Sequence, residues 1–418
     1  MAKRVLIVGA GVIGLTTAYY AARKGHSVTV LDRNGPDAQG CSFGNAGMIV
    51  PSHFIPLAAP GMVALGLRWM WNPRSPFYIK PRWDLELLDW AWKFSRASNA
   101  RHVERSAPLL RDLHIASRVC FEELSALPAT DFGLVRKGLL MLCKTTHALD
   151  EEARAAEQAR RLGIPAEVLD RKQTAAHDPE IQMDVAGSVY FPMDCHLTPG
   201  RFMAALRSHL IERNVRFLAP AHVDGWRAAG ARIEAACTET AEFAADEYVL
   251  CGGSWSSRTA AELDLRLPLQ AGKGYSLTLP KPRRLPALCA ILTAARVAVT
   301  PMGTALRFGG TMELSGLNEE IAPARVQGII RSIPSYYPEF QEQDFDGVQP
   351  WRGLRPCSPD GMPYVGRTAR YKNLSIATGH AMMGLSLGPI TGKLMSEILS
   401  GENPSIDIGL LNPDRYRR

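Results

Sequence analysis

The spacing of apolar and polar residues changes abruptly several times along the chain, and the first change is the sharpest. Residues 5–8 form an unbroken apolar run, and glycines follow at positions 9, 11 and 14. Apolar residues then recur with helical spacing until a second β-branched run at residues 28–31. An apolar run that ends at glycine predicts a buried strand, and the helical spacing after it predicts a helix. We therefore expect residues 5–50 to open with a β-α-β unit.

Later segments carry the same two kinds of pattern. Apolar residues at helical spacing predict two helices within residues 84–127. Residues 147–163 are predicted to form a charged surface helix, and the start at Thr198-Pro199-Gly200 predicts a helix that runs to Glu212. Short apolar runs predict buried strands at residues 138–142, 216–218 and 246–251. Residues 272–312 alternate such runs with turns, which indicates a mixed or antiparallel sheet. Residues 350–400 are expected to form a glycine-rich loop and then a helix.

The length and order of these segments predict two domains. A chain of 418 residues exceeds the usual size of a single core. Pieces that match a nucleotide-binding fold are separated by strand-rich and helical insertions, so the first domain is expected to be discontinuous. We expect an α/β fold in which a Rossmann-like domain (residues 1–80, 186–265 and 346–418) is interrupted by an α+β substrate-binding domain with a mixed sheet (residues 81–185 and 266–345).

The glycines at the start of the chain have the spacing of a dinucleotide-binding fingerprint. Gly9 permits a tight turn, Gly11 lets the backbone approach a pyrophosphate, and Gly14 allows a helix to pack closely on a strand. The amide groups at the helix N-terminus attract phosphate. Asp32 ends the second strand, where an acidic side chain accepts hydrogen bonds from a ribose. The chain is therefore expected to bind FAD or NAD.

Composition narrows the class of partner. The formal net charge is +7, but no run of five or more Lys or Arg residues occurs, so nucleic acid is not expected. The positive charge fits anionic substrates or an anionic membrane surface. The eight cysteines include no Cys-x-x-Cys pair, which argues against a metal site and indicates reduced thiols in a cytoplasmic protein. No apolar stretch is long enough to span a membrane.

Residues 56–92 are unusually rich in tryptophan. Five of the eight tryptophans lie there, at positions 69, 71, 83, 90 and 92, and cations accompany them at positions 68, 74, 80 and 82. Tryptophan beside cationic residues is typical of a membrane–water interface. A helical lid packed on the substrate domain explains the same pattern, and both alternatives stay open.

Five motifs together resemble the D-amino-acid oxidase superfamily of FAD enzymes and, within it, the bacterial D-amino-acid dehydrogenases. The first is the fingerprint with Asp32, and the others are residues 41–48, residues 245–256, residues 273–278 and residues 351–366 with Gly379, His380 and Gly384. The resemblance covers nearly the whole chain. One departure is that some relatives place a second arginine after the Gly-His pair, where this chain has Ala381, Met382 and Met383.

The resemblance implies an FAD-binding domain of the D-amino-acid oxidase/glutathione-reductase type. FAD also fits residues 379–389, because a glycine-rich loop before a helix N-terminus stabilises the negative charge of a reduced flavin. The residues expected to contact the cofactor are Gly9, Gly11, Val12, Ile13, Gly14, Asp32, Arg33, Ser42, Asn45, Ala46, Gly47, Met48, Val223, Gly252, Gly253, Trp255, Arg355, Gly379, His380, Met383, Gly384, Leu385 and Ser386.

Arg355 is the expected substrate-binding residue, since a guanidinium holds a carboxylate through two parallel hydrogen bonds. A structural ion pair with Asp360 is the alternative, and Arg352 is a second and more structural candidate. His53 and Tyr275 are the other catalytic candidates. A packing role explains each of them equally well.

Oxidation of a D-amino acid at its Cα–N bond is the implied reaction, with hydride transfer to FAD and electrons passed to a quinone or another non-oxygen acceptor. The neutral residues Met48, Met382 and Tyr275 argue against a basic substrate, and residues 44–53 resemble dehydrogenases of D-proline or hydroxy-D-proline. The alternatives are a glycine/sarcosine-type amine oxidase that uses oxygen, or the FAD-binding subunit of a multi-subunit electron-transfer dehydrogenase. The expected location is the cytoplasm, either free or attached peripherally to the inner face of the cytoplasmic membrane.

Overall fold

The computed structural model describes residues 1–35, 38–70 and 75–417. Its helices are α1 (Val12–Arg23), α2 (Met62–Trp69), α3 (Leu85–Ala97), α4 (Ala100–Ser125), α5 (Thr146–Arg161), α6 (Arg171–His177), α7 (Pro199–Glu212), α8 (Ser256–Ala261), α9 (Pro323–Ser332) and α10 (Gly388–Ser400). Its strands are β1 (Arg4–Val8), β2 (Ser27–Leu31), β3 (Met48–Ile49), β4 (Phe77–Ile79), β5 (Leu139–Cys143), β6 (Glu167–Asp170), β7 (Gly187–Phe191), β8 (Cys195–His196), β9 (Arg216–Leu218), β10 (Val223–Ala229), β11 (Arg232–Thr238), β12 (Glu242–Phe243), β13 (Glu247–Leu250), β14 (Gln270–Leu279), β15 (Cys289–Leu292), β16 (Val297–Met302), β17 (Ala305–Leu314), β18 (Trp351–Cys357), β19 (Tyr364–Arg367) and β20 (Leu374–Thr378).

The first sheet has six strands in the order β19-β20-β13-β1-β2-β9. Its pairs are parallel except for the antiparallel pair of β19 and β20 at one edge. Apolar side chains of β1 and β13 form one core with those of α1, α4, α7 and α10. Burial on both faces explains why these strands are continuous apolar runs. The predicted Rossmann-like unit and the opening β-α-β unit are confirmed.

The second sheet is mixed and lies mainly in later residues. Its strand order is β18-β14-β17-β16-β15-β5-β7-β6, and β4 pairs with β17. The pairs of β15 with β5 and of β17 with β4 are parallel, whereas its other pairs are antiparallel. Two small antiparallel sheets, β10-β11-β12 and β3-β8, complete the set. The predicted mixed sheet is therefore present.

Three strands and one helix join a different part of the fold from the one that the predicted domain boundaries imply. Strands β4, β7 and β18 fall in residues expected to belong to the nucleotide-binding domain, yet they pair in the second sheet. Helix α4 falls in the expected substrate domain but packs into the core beside α10. These elements lie near positions where the chain passes from one sheet to the other, and their sequences do not indicate which sheet they will join. The division into two domains stays a prediction.

Residues 350–400 are more regular than expected. Three strands, β18, β19 and β20, precede α10 there, whereas a loop was predicted. β18 contains Gly353 and Pro356, which normally argue against a strand. Proline is tolerated because β18 is an edge strand of the second sheet, so one side of its backbone has no strand to pair with.

The tryptophan-rich segment is divided between two environments. Trp90 is buried and donates to the carbonyl of Cys357 at 2.9 Å, so it cannot contact a membrane. Trp83 and Trp92 are exposed, at 102% and 54% of their reference areas. Trp69 ends α2 and lines an internal cavity. Trp71 and Arg74 lie outside the described residues. Among the described residues, no helix is both long and apolar enough to cross a membrane.

Candidate active site

The glycine fingerprint forms a tight turn at the carboxyl end of β1. Gly9 has φ +111°, and a Cβ there would lie 2.4 Å from the carbonyl oxygen of Cys251. A Cβ on Gly14 would lie 1.8 Å from the oxygen of Gly9, so only glycine lets α1 approach the turn. Gly11 is the N-cap residue of α1 and has no side chain to cap the helix. The Val12 amide donates to Ser42 Oγ, and the amides of Ile13 and Gly14 in the same turn are available to an anion.

Polar side chains surround this turn. Asp32 accepts hydrogen bonds from the amides of Ala10 and Asn34, at 2.7 and 2.8 Å. Ser42 Oγ accepts the amide of Val12 at 3.0 Å. Arg33 lies over the indole ring of Trp255, with 3.4 Å between the guanidinium carbon and the ring centroid.

A groove with an empty volume of about 1140 Å³ extends from the turn along the ends of the parallel strands. The predicted cofactor residues that line it are Gly9, Gly11, Val12, Ile13, Asp32, Arg33, Ser42, Asn45, Val223, Gly252, Gly253, Trp255, Arg355, His380, Gly384 and Leu385. Ala46, Met48, Met383 and Ser386 line an adjoining cavity instead. The residues of the prediction are therefore brought together from seven separate stretches of chain.

Three predicted glycines line neither space. Gly14 acts through the helix packing described above. A Cβ on Gly47, at φ +78°, would lie 2.2 Å from the carbonyl oxygen of Leu197, and one on Gly379, at φ +81°, would lie 2.9 Å from the ring of Tyr364. These two glycines allow close backbone packing beside the site, and their predicted contact with the cofactor stays a prediction.

The groove fits FAD. Its one end offers the α1 amides to a pyrophosphate and Asp32 to a ribose, as the fingerprint requires. At the other end, His380 is buried and its Nδ1 atom has no hydrogen-bond partner among the described residues, although Nε2 contacts Thr391 Oγ1 at 3.0 Å. A buried polar atom without a partner is costly unless a ligand supplies one. Burial also lowers the pKa of His380 to about 3, so this imidazole stays neutral.

The adjoining cavity has an empty volume of about 1480 Å³ and meets the groove at Cys41, Asn45 and Arg355. Most of its wall is apolar, and no Asp or Glu among the described residues lines it. The apolar lining residues include Met48, Met62, Leu65, Trp69, Phe77, Met141, Ile291, Met312 and Met382. Helix α2 closes one side. The lid interpretation of the tryptophan-rich segment therefore holds for α2.

Arg355 lies where the groove and the cavity meet. On β18 it is opposite Gly272 of β14, and its guanidinium crosses Gly274, where a Cβ would lie 2.2 Å from Nη2. Nη1 donates to the carbonyl of Thr311 at 2.7 Å. Thr311 has φ +62° and lies in a bulge of the β14–β17 pair, which turns that carbonyl toward Arg355.

No carboxylate pairs with Arg355 in the described part of the chain. Asp360, the predicted alternative partner, instead receives two hydrogen bonds from Arg415, at 2.7 and 3.0 Å. The Arg352 side chain donates to the backbone carbonyl of Glu319 and pairs with the Glu319 carboxylate, as expected of a structural arginine. Burial lowers the pKa of Arg355 but leaves it cationic. The alternative pairing of Arg355 with Asp360 is therefore wrong, and the guanidinium lines the cavity without a carboxylate partner among the described residues.

Tyr275 borders the cavity, but its hydroxyl donates to Glu313 Oε2 at 2.8 Å. Glu313 also pairs with the buried Lys273, at 3.3 Å. The Tyr275 hydroxyl is thus engaged by a buried carboxylate, and a catalytic role for it stays a prediction.

His53 lines the cavity beside Arg296. Burial and the nearby Arg296 guanidinium lower the pKa of His53 to about 4. Arg296 lies in the β15–β16 turn at φ +53° and is a second guanidinium on the cavity wall. No sequence signal pointed to Arg296 or Thr311. The missing second arginine after His380 was the only indication that a cation had to come from elsewhere.

Comparison with known proteins gives one family. The family model described as FAD dependent oxidoreductase matches residues 4–398. Among curated proteins, the D-amino acid dehydrogenase of Bradyrhizobium diazoefficiens is 34% identical, with 99% of each chain covered. The D-amino acid dehydrogenases of Cereibacter sphaeroides and Neisseria meningitidis are 34% and 32% identical, over 99% of this chain and 95% and 100% of theirs.

Solved structures share the fold. Glycine oxidase from Geobacillus kaustophilus superposes with a TM-score of 0.77 at 22% identity, with 99% of each chain covered. L-proline dehydrogenase from P. horikoshii superposes with a TM-score of 0.74 at 15% identity, covering 100% of this chain and 98% of its own. At these identities, the likeness supports the fold alone.

Proposed function

Because the chain belongs to the FAD-dependent oxidoreductase family, we propose that it is a D-amino-acid dehydrogenase that favours D-proline or hydroxy-D-proline and passes electrons to a quinone or another non-oxygen acceptor. Full-length relatives named D-amino acid dehydrogenase support the oxidation of D-amino acids by a flavoenzyme. The cyclic substrate and the acceptor are the finer parts of the proposal, and they rest on the cavity and on the molecular surface.

The observation that carries the proposal is the unpaired guanidinium of Arg355 at the junction of groove and cavity. A buried cation without a carboxylate is costly unless a ligand brings one. An amino acid brings a carboxylate, and two parallel hydrogen bonds to it fix both position and orientation. Thr311 holds the guanidinium from one side, so the site is organised before the substrate arrives.

FAD, when bound in the groove, supplies the acceptor for the hydride that leaves the substrate Cα. The protein's part is to place and surround the substrate. Arg355 binds the carboxylate, the apolar wall excludes water from the reacting carbon, and His53 and Arg296 occupy the polar side of the cavity. Such positioning in a dry cavity accelerates the transfer of the hydride.

The lining of the cavity supports a small, largely apolar side chain. Methionines at 48, 141, 312 and 382 offer an adaptable apolar surface, and the part of the chain that the structure describes supplies no lining carboxylate to pair with a basic side chain. A pyrrolidine ring meets that surface without leaving an unpaired charge. D-Lysine or D-arginine would add a side-chain cation to a cavity whose wall already carries the guanidinium groups of Arg296 and Arg355.

The surface supports a membrane-bound acceptor. Leu85, Leu88 and Trp92 are exposed on α3 at positions i, i+3 and i+7, so they share one face of the helix, and Trp83 precedes them. Arg96 lies 5.3 Å from the Trp92 ring. Exposed aromatic and apolar side chains beside cations are suited to the boundary of an anionic bilayer. Peripheral docking there would bring the flavin domain to a quinone.

The test is bleaching of flavin absorbance without oxygen. Purified protein is mixed with D- and L-proline, hydroxy-D-proline, D-alanine, D-lysine, glycine and sarcosine. We expect selective bleaching by D-proline and hydroxy-D-proline, with slow recovery in air and fast recovery with a quinone analogue. Equal rates with D-alanine would refute the cyclic substrate, and fast recovery in air would indicate an oxidase. Bleaching by no D-amino acid would refute the activity.

A further inference from the structure

A buried carboxylate lies behind the wall of the substrate cavity, and the mechanism above does not use it. Asp194 has no exposed surface and immediately precedes β8. β8 pairs with β3, and this small sheet brings Asp194 beside Ser52, which follows β3. Ser52 Oγ donates to Asp194 Oδ2 at 2.5 Å, and the Ser52 amide donates to Oδ1 at 3.1 Å.

The same hydroxyl continues to the cavity. Ser52 Oγ is 3.0 Å from Nδ1 of His53, which lines the cavity. Since the single proton of Ser52 is given to Asp194, the serine oxygen is an acceptor toward His53, and Nδ1 carries the imidazole proton. The hydrogen bond at one ring nitrogen fixes the state of the other, so Nε2 of a neutral His53 has a free lone pair. Hydrogen bonds thus connect His53, at the cavity wall, through Ser52 to the buried Asp194.

The charges around the three groups make Asp194 the one that titrates near neutral pH. Burial raises the pKa of Asp194 to about 7, although the Arg118 guanidinium on α4 lowers it. Burial and Arg296 lower the pKa of His53, whose other titratable neighbour is His114 on α4. The thiols of Cys195 and Cys289 beside Asp194 have raised pKa values and stay neutral. Glu122 on α4 faces Cys195 and Arg118.

We propose that His53, Ser52 and Asp194 form a relay that removes the proton from the amino group of the bound substrate; this rests on the proposed function. A D-amino acid arrives with a protonated amine, and its nitrogen lone pair must be free before the Cα hydride can leave. The N–H proton passes to His53 Nε2, the Nδ1 proton passes to Ser52 Oγ, and the Ser52 proton passes to the Asp194 carboxylate. One N–H bond breaks, one carboxyl O–H bond forms, and no electrons leave the relay.

Under this proposal His53 is a catalytic base, and Ser52 and Asp194 are positioning and proton-accepting residues that act through it. If Asp194 had only a structural role, its replacement by asparagine would have little effect on the reaction. Its contacts in the relay are hydrogen bonds that it accepts, and an asparagine oxygen accepts a hydrogen bond equally well. Replacement by Asn therefore keeps the size of the side chain and one acceptor, while it removes the atom that takes the proton.

The experiment compares Asp194→Asn with the wild type in anaerobic stopped-flow bleaching by D-proline between pH 5 and 9. We expect the wild-type rate at saturating substrate to rise tenfold per pH unit below about 7 and then to level off, since Asp194 must be ionised to accept the proton. The Asp194→Asn variant should lose this limb, and its rate at pH 8 should fall about 10²-fold or more. D-Proline affinity should change little, because Arg355 is untouched.

Two sets of variants guard against a folding defect. Asp178→Asn removes another buried carboxylate, which accepts the amides of Ala287 and Leu288, and it should keep the pH limb. Ser52→Ala should lose the limb and Ser52→Thr should restore it, since only threonine keeps the hydroxyl. If both alanine and threonine keep the limb, the relay is refuted even if Asp194→Asn does not fold.

A second measurement needs no turnover. 2-Methyl-D-proline has no Cα hydrogen and cannot be oxidised, yet it carries the same amine and carboxylate. Its binding at pH 8 should produce the infrared band of a protonated carboxyl group in the wild type and not in Asp194→Asn. Binding without that band refutes the relay. Bleaching of the wild type with an unchanged pH limb in Asp194→Asn also overturns the relay alone, whereas absence of any wild-type bleaching overturns the proposed function and the relay with it.

Discussion

Gly274 offers a way to displace the substrate-binding arginine without altering it. A methyl group at this position would lie 2.2 Å from Nη2 and 2.3 Å from Cζ of Arg355. Those distances are far inside van der Waals contact, so the guanidinium of a Gly274→Ala variant must move. The move breaks the hydrogen bond from Nη1 to Thr311, whose carbonyl is held in place by the bulge.

The expected loss follows from the hydrogen bonds to the substrate carboxylate. A hydrogen bond that involves a charged group contributes about 1.5–3 kcal/mol. Loss of one such bond weakens D-proline binding by about 10- to 150-fold, since about 1.4 kcal/mol corresponds to tenfold. The fingerprint turn and α1 are distant in the chain and unchanged, so the bound FAD should be retained.

The assay is an anaerobic titration of flavin bleaching with D-proline, with the FAD content read from absorbance before the titration. Gly225→Ala is the matched control, because the nearest side-chain atom to a Cβ there is 3.8 Å away, on Cys237. The control should bind D-proline like the wild type. Wild-type affinity in a Gly274→Ala protein that retains FAD would refute the role assigned to Arg355.

Three further predictions test the groove, the core and the surface. Gly14→Ala should yield protein with little FAD, measured by absorbance after purification, because the methyl group would meet the oxygen of Gly9 at 1.8 Å. Burial opposes the charge of Asp360, but Arg415 holds the pKa of Asp360 below its usual value. The ion pair therefore stabilises the folded protein above about pH 4, and this stabilisation is lost as the pH falls further. Asp360→Asn should therefore cost about 3–5 kcal/mol in denaturant unfolding at pH 7 and less at pH 3. Trp83→Ser should reduce co-sedimentation with anionic vesicles without changing bleaching by D-proline.

Local patterns predicted the parts of the protein that depend on neighbours in the chain. The turn from β1 to α1 needs glycine at particular positions whatever the remaining sequence does, so the fingerprint was informative by itself. Helices α3 and α4 followed from apolar spacing, α5 from a charged surface pattern and α7 from the residues that begin it. These elements are determined within about 25 residues, and the structure confirms them.

Features that depend on distant partners were not predictable. β18 contains glycine and proline and is a strand only because β14 pairs with it. Trp90 belongs to the same tryptophan cluster as Trp83, yet one is buried against Cys357 and the other is exposed. Arg296 reaches the cavity from a β-turn whose sequence has no functional pattern. In each case the missing information is the identity of the neighbour in space.

The distribution of unsatisfied groups supports the location of the site independently of the fingerprint. Two buried charged groups elsewhere are held in ion pairs, Asp360 with Arg415 and Lys273 with Glu313. Around the cavity, by contrast, Arg355 has no carboxylate in the described residues, and Thr311 keeps a left-handed backbone conformation that a threonine rarely adopts. Strain and unpaired charge cost stability, and they persist only where surrounding structure enforces them. Here the bulge of β17 enforces both, because the same backbone turn that strains Thr311 supplies the carbonyl that holds Arg355. A ligand carboxylate that pairs with Arg355 offsets this cost, and the arrangement is therefore suited to bind one.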